Sequence, residues 1–203
     1  MIRTLFFDDE AVMILDQSQL PDKVEYVRCK TIEAVADAIK KLKVRGAPLI
    51  GVTAAFGLAM AMANYQRETA GMQDYFQQAR ATLACTRPTA VNLFWALERM
   101  EKVFLQEFAT QANREQIGKR LKQEAINMYE EDITINRAIG EYGQTLLPEG
   151  SQVMTICNAG ALATCGYGTA LGVIRAAADQ DKIKKVWASF TGSSPYGLGT
   201  NAG

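Results

Sequence analysis

The first part of the chain alternates short apolar runs with polar breaks. The runs are Thr4–Phe7, Val12–Leu15 and Val24–Cys29. Runs of this length, separated by acidic or proline-containing breaks, are typical of antiparallel strands. The pattern predicts a small sheet of two or three strands, with Asp8 and Asp9 in its first turn.

Helical patterns follow this sheet. Thr31 can cap a helix that runs to about Lys43, because its hydroxyl can accept a hydrogen bond from a free backbone N–H of the first turn. The segment Gly46–Gln66 has no charged residue and is long enough to cross a membrane. Its alanine and glycine content favours a helix packed at the centre of the protein. Two further helices are predicted, at Gly71–Cys85 and after Pro88, the second capped by Thr86 or Thr89.

A long helix is predicted from Arg114 to about Leu146. Its apolar residues recur every three or four positions, the period of one helix face. They are Ile117, Leu121, Ala125, Met128, Ile135, Ile139, Tyr142 and Leu146. Asp132 occupies the one position in the middle of this stripe where a further apolar residue is expected. There it either pairs with a buried arginine or has a purely structural role. Several glycines weaken the helix, so tertiary packing must support it.

The carboxyl-terminal part predicts a strand, a helix and a second strand. The strand Val153–Ile156 is followed by small residues that predict a helix from Ala161 to about Ala178, and then by Lys185–Ser189. Cys157 is therefore expected at the carboxyl end of a strand, on the turn into a helix. Ligands bind at this place in open α/β sheets, and a helix amino terminus favours ionisation of a thiol. The alternative is a tightly packed βα unit with an inert, buried cysteine.

Two arginines stand beside predicted helix amino termini. Arg45 precedes a Gly-Ala-Pro sequence, and Arg87 precedes Pro88. Proline is favoured in the first helical turn, and a guanidinium beside a helix start makes an anion site. Each arginine could instead lie on the surface of a connecting turn. Together with the Cys157 turn, they indicate convergence on one anionic ligand.

Composition narrows the chemistry further. Lys+Arg and Asp+Glu both total 22 without a block of like charge, which argues against nucleic acid or an anionic membrane as a partner. The absence of histidine excludes histidine-based triads and argues against a zinc enzyme, so acid–base chemistry falls to carboxylates, Cys, Lys or Tyr. The four cysteines have no metal-site spacing. Without a signal peptide, they predict reduced thiols in a cytoplasmic protein.

Three segments together resemble a known family: VRGAPLIGVTAAFGLA at 44–59, TRPTAVNLFWAL at 86–97 and CNAGALATCGYGTALGVIRAA at 157–177. They are similar to the methylthioribose-1-phosphate isomerases of methionine salvage. That family is homologous to the regulatory subunits of translation initiation factor 2B and to ribose-1,5-bisphosphate isomerase. The resemblance covers residues 1 to about 188 and is most specific at the Cys-Asn-x-Gly-Ala-Leu-Ala-Thr run.

The resemblance implies an α/β fold in two parts, usually in a homodimer. A small amino-terminal β-sheet and a helical domain occupy residues 1–147. Residues 148–188 are the start of a Rossmann-like catalytic domain, reduced here to a truncated βαβ unit. Residues 189–203 form a Gly- and Ser-rich tail that does not fit the family pattern.

The reaction that the resemblance implies is an aldose–ketose isomerisation of 5-methylthioribose 1-phosphate to 5-methylthioribulose 1-phosphate. Because C1 carries the phosphate ester, no free aldehyde is available and the ring opens with the phosphate in place. Hydrogen moves between C1 and C2 through an enediolate-type intermediate or a hydride shift. The family uses a Cys and an Asp, with no cofactor and no metal.

Site residues carry over from the matching motifs. The catalytic Cys of the family matches Cys157. Arg45, Gly46 and Ala47 match a loop that contacts the substrate, and Arg87 matches an arginine that helps to hold the phosphate. Asn158 completes the expected substrate-binding set. Cys165, inside the predicted helix, is interpreted as a packing residue.

The tail departs from the family. There the second strand leads into E-T-R-P-x-x-Q-G-x-R and a long further segment, whereas here Phe190–Gly203 contains no charged residue. We therefore expect a truncated chain without the family's catalytic Asp, which Asp179 and Asp181 are not expected to replace. Such a chain would bind substrate weakly and not turn it over. Its open sheet face would favour altered self-association.

Other interpretations remain open. Thr191–Ser194 could cradle a phosphate through backbone N–H groups, although the match to a phosphate-loop motif is poor. The function could also be that of a non-catalytic binding protein like the regulatory subunits, or of a ribose-1,5-bisphosphate isomerase. Cys157 favours an isomerase, because a pure binding module needs no thiol at that turn.

Overall fold

The fold begins with a three-stranded antiparallel sheet. The computed structural model describes residues 3–189, and Phe190–Gly203, including Thr191–Ser194, lie outside the described residues. The sheet has the order β1-β2-β3, and Asp9 adopts a positive φ of 50° in the turn between the first two strands. The strands are β1 (Leu5–Asp8), β2 (Ala11–Leu15) and β3 (Tyr26–Cys29). The predicted sheet and its acidic turn are confirmed.

Four helices follow: α1 (Ile32–Lys40), α2 (Ala47–Ala63), α3 (Met72–Ala84) and α4 (Val91–Ala109). Thr31 caps α1 as predicted, by accepting a hydrogen bond from the backbone N–H of Ala34. The predicted threonine cap of α4 is wrong, because Ala90 occupies the cap position. The hydroxyl of Thr86 instead donates to the carbonyl of Leu83 at 2.6 Å, which closes the end of α3.

Helix α2 lies at the centre of the amino-terminal part. Its residues are buried on every side from Leu49 to Met62, as expected of a helix without a polar face. It packs against α4, α1, α3 and the long helix that follows them in sequence. This confirms the prediction of a central packing helix. Among residues 3–189, no helix is both long and apolar enough to span a membrane.

Helix α5 (Arg114–Gln144) is the longest element. Asn113 and Gln116 form a reciprocal capping box at its start. The predicted apolar stripe is buried only in the first half of the helix, as far as Met128. The remaining residues of the stripe are exposed: Ile135, Ile139 and Tyr142 in the second half of the helix, and Leu146 just beyond its end.

The buried line of α5 continues instead through polar or small residues: half-buried Asp132, and buried Asn136, Gly140 and Gln144. The physical reason is that Tyr167 and Val173 pack closely against this half of α5. A Cβ on Gly140 would lie 2.8 Å from the Tyr167 ring, and one on Gly143 would lie 2.7 Å from Val173. The second half of α5 therefore packs through close contacts that large apolar residues could not make.

The chain then forms a βαβ unit from β4 (Ser151–Ile156), α6 (Ala170–Ala178) and β5 (Ile183–Ser189). The two strands are parallel, with Ile156 opposite Ser189. An α/β chain with a small amino-terminal sheet, a helical body and a βαβ unit is thus confirmed. The division into domains at residues 147 and 188 stays a prediction.

The predicted helix start at Ala161 is wrong. Residues 157–169 form a loop, here called the Cys157 loop, with one short 3-10 turn at Ala161–Ala163. The buried hydroxyl of Thr164 accepts hydrogen bonds from the backbone N–H groups of Gly166 and Gly168, which compete with helix formation. Gly168 has a φ of 99°, outside the helical region.

Candidate active site

Cys157 lies at the carboxyl end of β4, as predicted. Its backbone N–H donates to the carbonyl of Ser189 at 3.0 Å, so it continues the pairing of β4 with β5. The side chain is exposed, and the residue has a φ of 74°. That conformation is uncommon for a residue with a Cβ and marks a local backbone strain of about 1–3 kcal/mol. Strained residues of this kind cluster at functional sites.

Cys157 does not lie at a helix amino terminus, contrary to the prediction. Helix α6 begins at Ala170, at the far end of the Cys157 loop. The influence of a helix dipole falls off within the first turn. The alternative of a buried cysteine is also wrong, because Cys157 is exposed next to Asn158, which is exposed too. Whether the thiol is reactive stays a prediction.

The Arg45-Gly46-Ala47 segment packs directly on the Cys157 loop. Gly46 is the cap residue of α2 and has a φ of 89°. A Cβ at Gly46 would lie 2.1 Å from the carbonyl oxygen of Ala163. Glycine is therefore required at this position both by the backbone conformation and by the close approach. The structure thus joins two segments that are more than a hundred residues apart in sequence.

Arg45 is half-buried, and its side chain turns back toward the preceding residues. Its Nε donates to the carbonyl of Leu42 at 3.3 Å. Ala47 is exposed in the first turn of α2, and Pro48 follows it there as predicted. The backbone N–H groups at such a helix start are not used by the helix itself, so they suit an anion.

Arg87 lies on the connection between α3 and α4 and is half-buried. The start of α4 crosses α2: a Cβ on Gly51 would lie 2.6 Å from the carbonyl oxygen of Asn92. Gly51 is about 8 Å along the α2 axis from Gly46, given the rise of a helix. The start of α4, which follows the Arg87 connection, and the Cys157 loop therefore both contact the amino-terminal part of α2.

Within the described part of the chain, Asp132 forms no ion pair with an arginine. Its carboxylate accepts hydrogen bonds from the backbone N–H of Cys165 at 2.7 Å and from the side chain of Asn136 at 3.1 Å. Burial raises the pKa of Asp132, and these hydrogen bonds only partly offset it. Burial and the neighbouring Asp132 also raise the pKa of Cys165, which is a buried loop residue and not a helical one.

Gln17 also contacts the Cys157 loop, and the sequence patterns did not single out this residue. It follows β2 in the small sheet, is 4% exposed, and donates from Nε2 to the carbonyl of Leu162 at 2.7 Å. A buried glutamine directly after an apolar strand is a signal, because buried amides need partners. The sequence could not say which part of the chain supplies them.

The expected aspartate is not supplied by the end of α6. Asp179 and Asp181 precede β5, and the carbonyl of Lys182 accepts a hydrogen bond from the backbone N–H of Ser151. Ser151 begins β4, whereas Cys157 follows its end. A strand of this length spans roughly 20 Å, so the two aspartates lie near the ends of the strands opposite to Cys157.

Two surface clefts of about 350 Å³ lie away from these residues. One runs along α5 beside Glu130 and Glu131, and the other lies between α5 and α6 around Tyr167. Neither is lined by Cys157, Arg45 or Arg87. Within residues 3–189, no group of three or more acidic or cysteine side chains is arranged to hold a metal ion.

Comparison with known proteins places this arrangement in a family. Residues 43–202 match the initiation factor 2 subunit family. The chain belongs to this family. The matched range extends beyond residue 188, where the resemblance of the three segments ends.

A curated relative is the methylthioribose-1-phosphate isomerase of Syntrophomonas wolfei, which is 60% identical over 191 residues. The match covers 94% of this chain and 55% of the relative. The chain therefore spans about half the length of the curated relatives it matches. The resemblance to this group of isomerases is confirmed.

Solved structures share the fold. The 5-methylthioribose 1-phosphate isomerase of Pyrococcus horikoshii matches with a TM-score of 0.84 and 39% identity, covering 92% of this chain and 52% of that one. The delta subunit of translation initiation factor eIF-2B from A. fulgidus matches with a TM-score of 0.80 and 42% identity, covering 93% and 54%. The names of similar proteins thus include both an isomerase and an initiation factor subunit.

Proposed function

We propose that this chain supplies the amino-terminal part of an isomerase that converts 5-methylthioribose 1-phosphate to 5-methylthioribulose 1-phosphate. The observation that carries the proposal is the exposed thiol of Cys157 at the carboxyl end of β4, in a loop that packs on Gly46. Relatives named as isomerases, with up to 60% identity, support the choice of reaction. The substrate is accordingly a sugar phosphate.

The proposed roles follow from the chemistry of each group. Cys157 handles a proton at the reacting carbons, since an accessible thiol at a strand end can act as acid or base. Arg45 and Arg87 bind the phosphate, because guanidinium forms paired hydrogen bonds with phosphate oxygens. The backbone at Gly46 and Ala47 and the amide of Asn158 orient the sugar.

The reaction is internally balanced and needs no external oxidant. The hydrogen on C2 moves to C1, the bond between C1 and the ring oxygen breaks, and the proton of the C2 hydroxyl ends on the freed ring oxygen. C2 is oxidised to a ketone as C1 is reduced. Either an enediolate-type intermediate or a hydride shift fits this balance. The expectation that no cofactor or metal takes part belongs to the proposal.

Three further expectations, about oligomeric state, location and partners, belong to the same proposal. A homodimer and a cytoplasmic location follow from the resemblance. The balanced charge, 22 basic and 22 acidic residues, supports the expectation that nucleic acid is not a partner.

The test uses a chimeric chain in which residues 1–189 continue into the remaining part of the Syntrophomonas wolfei relative. Conversion of 5-methylthioribose 1-phosphate is followed by phosphorus NMR. We expect Cys157→Ser to lower kcat by about a hundredfold or more, the usual effect of losing an acid–base group. Cys85→Ser is the matched control, because Cys85 is also exposed but lies at the end of α3.

Full activity of the Cys157→Ser chimera would contradict the catalytic role. The purified 203-residue chain is assayed beside it. Turnover by that chain at the rate of the chimera would contradict the expectation that residues beyond it supply the second catalytic group.

A second candidate is a non-catalytic subunit that binds a sugar phosphate or nucleotide. The likeness to the delta subunit from A. fulgidus, at 42% identity, favours it. Calorimetric binding of 5-methylthioribose 1-phosphate to the chimera without any conversion would support this candidate over the isomerase.

A further inference from the structure

Gln17 connects two segments that the proposed site needs. Its backbone N–H donates to the carbonyl of Lys43 at 3.0 Å, two residues before Arg45. Its side-chain Nε2 donates to the carbonyl of Leu162 in the Cys157 loop at 2.7 Å. The neighbouring Asp16 adds an ion pair with the Lys43 ammonium at 3.0 Å. One short stretch after β2 thus contacts both segments.

These two hydrogen bonds lie beside the place where the segments touch each other. Leu162 directly precedes Ala163, whose carbonyl abuts Gly46. On the other side of Ala163, the backbone N–H of Cys165 donates to the carboxylate of Asp132 at 2.7 Å. The loop is therefore held on both sides of its contact with Gly46, by the small sheet on one side and by α5 on the other.

We propose that Gln17 and Asp132 are positioning residues of the candidate active site, which hold the Cys157 loop against the Arg45-Gly46-Ala47 segment. The inference rests on the proposed function for its meaning in catalysis, but the two residues act through the loop backbone and touch no substrate. Catalytic groups must keep their geometry to within a fraction of an ångström, and a loop needs such support to do so.

The side chains suit this task. A buried glutamine can donate to a backbone carbonyl without bringing a charge into the core. A glutamate of the same size would, when ionised, place a carboxylate against the carbonyl of Leu162. Asp132 is an acceptor and meets a backbone donor, and Asn136 supports its orientation from the next turn of α5.

The test measures the loop directly in the 203-residue chain, without turnover. Hydrogen exchange, followed by mass spectrometry, is compared for Gln17→Met and the parent. Methionine keeps the length and burial of the side chain but cannot donate. We expect exchange to become about fivefold faster in residues 157–169 and in 43–47, and unchanged in α4, since one buried hydrogen bond is lost. Alkylation of the buried Cys165 should accelerate by a similar factor.

Matched variants separate positioning from general destabilisation. Gln19→Met is the control, because Gln19 is exposed and its side chain donates a long hydrogen bond of 3.4 Å to the hydroxyl of Ser18. Asp132→Asn keeps an acceptor for the N–H of Cys165 and should retain loop protection, whereas Asp132→Ala should lose it. Alkylation of Cys29, whose pKa burial raises to about 11, reports on the small sheet and should not change.

The outcomes are distinct. Unchanged exchange in the loop for both Gln17→Met and Asp132→Ala overturns the proposal, as does equal acceleration in every part of the chain. If Gln17→Met does not fold, the Asp132→Asn and Asp132→Ala pair decides. If the loop loosens as expected but the Cys157→Ser chimera stays active, the positioning of the loop stands and the proposed function fails.

Discussion

Gly46 is the residue at which the candidate site is most sharply constrained. Its φ of 89° lies in the region that favours glycine, and its α-carbon faces the backbone of Ala163 at a distance that leaves no room for a methyl group. The contact is with a carbonyl group, which cannot move aside as the end of a flexible side chain can. A substitution must therefore displace the Cys157 loop.

Gly46→Ala is expected to destabilise the chain more than Gly150→Ala. Both glycines have a positive φ, so alanine is strained at each position, by about 1–3 kcal/mol. Gly150 has open space around it, whereas the new methyl group at Gly46 would meet Ala163. The clash should add about 1–3 kcal/mol. Urea unfolding of both variants measures the difference, and equal losses of unfolding free energy would show that the loop yields without cost.

Helix α5 shows how one element can bury different faces along its length. Up to Met128 it packs against α2 with large apolar residues. Beyond Asp132 it packs against α6 and the Cys157 loop through a line of small and polar residues. Ile135, Ile139 and Tyr142 of its second half stay exposed in the described part of the chain.

Met128→Ala and Ile139→Ala are expected to differ strongly, although both positions belong to the same apolar periodicity. Met128 is 1% exposed, so its truncation leaves a cavity and should cost about 2–5 kcal/mol. Ile139 is 44% exposed and should cost less than about 1 kcal/mol. Unfolding free energies from denaturant titration give the comparison. A loss at Ile139 as large as that at Met128 would mean that this face of α5 is covered in solution.

At the scale of the whole molecule, the βαβ unit leaves one face of its sheet exposed among the described residues 3–189. Val153 and Thr155 are at least half-buried, whereas Met154 and Ile156 on the other face are 72% and 58% exposed. Trp187, opposite Met154 on β5, is 42% exposed. Adjacent apolar side chains on an exposed sheet face favour association.

Replacing Met154 and Ile156 by threonine should reduce self-association of the 203-residue chain. Threonine suits a strand, so the unfolding free energy should change by less than about 1 kcal/mol. Val24→Thr is the control, because Val24 is 55% exposed but lies outside this sheet. Sedimentation velocity over a range of concentrations measures the effect. Equal association of the double variant, the control and the parent would contradict a role for this face.

Much of the architecture follows from local patterns in the chain. Apolar runs and breaks predict the strands, and helical patterns, caps and breaks predict the starts of five of the six α-helices in the described part of the chain to within a few residues. The motifs around Arg45, Arg87 and Cys157 lead to the family because their residue types are distinctive. These features can be predicted because secondary structure and motif chemistry depend on neighbouring residues.

Tertiary packing decided the rest. The late start of α6 depends on hydrogen bonds to the Thr164 hydroxyl, and the buried line of α5 depends on which helix lies beside it. Gln17 and Asp132 contact backbone groups of the Cys157 loop, and backbone acceptors and donors are the same in every residue type. The sequence at the contacted loop residues therefore carries no sign of these contacts. Only the folded arrangement of β2, α5 and the loop reveals them.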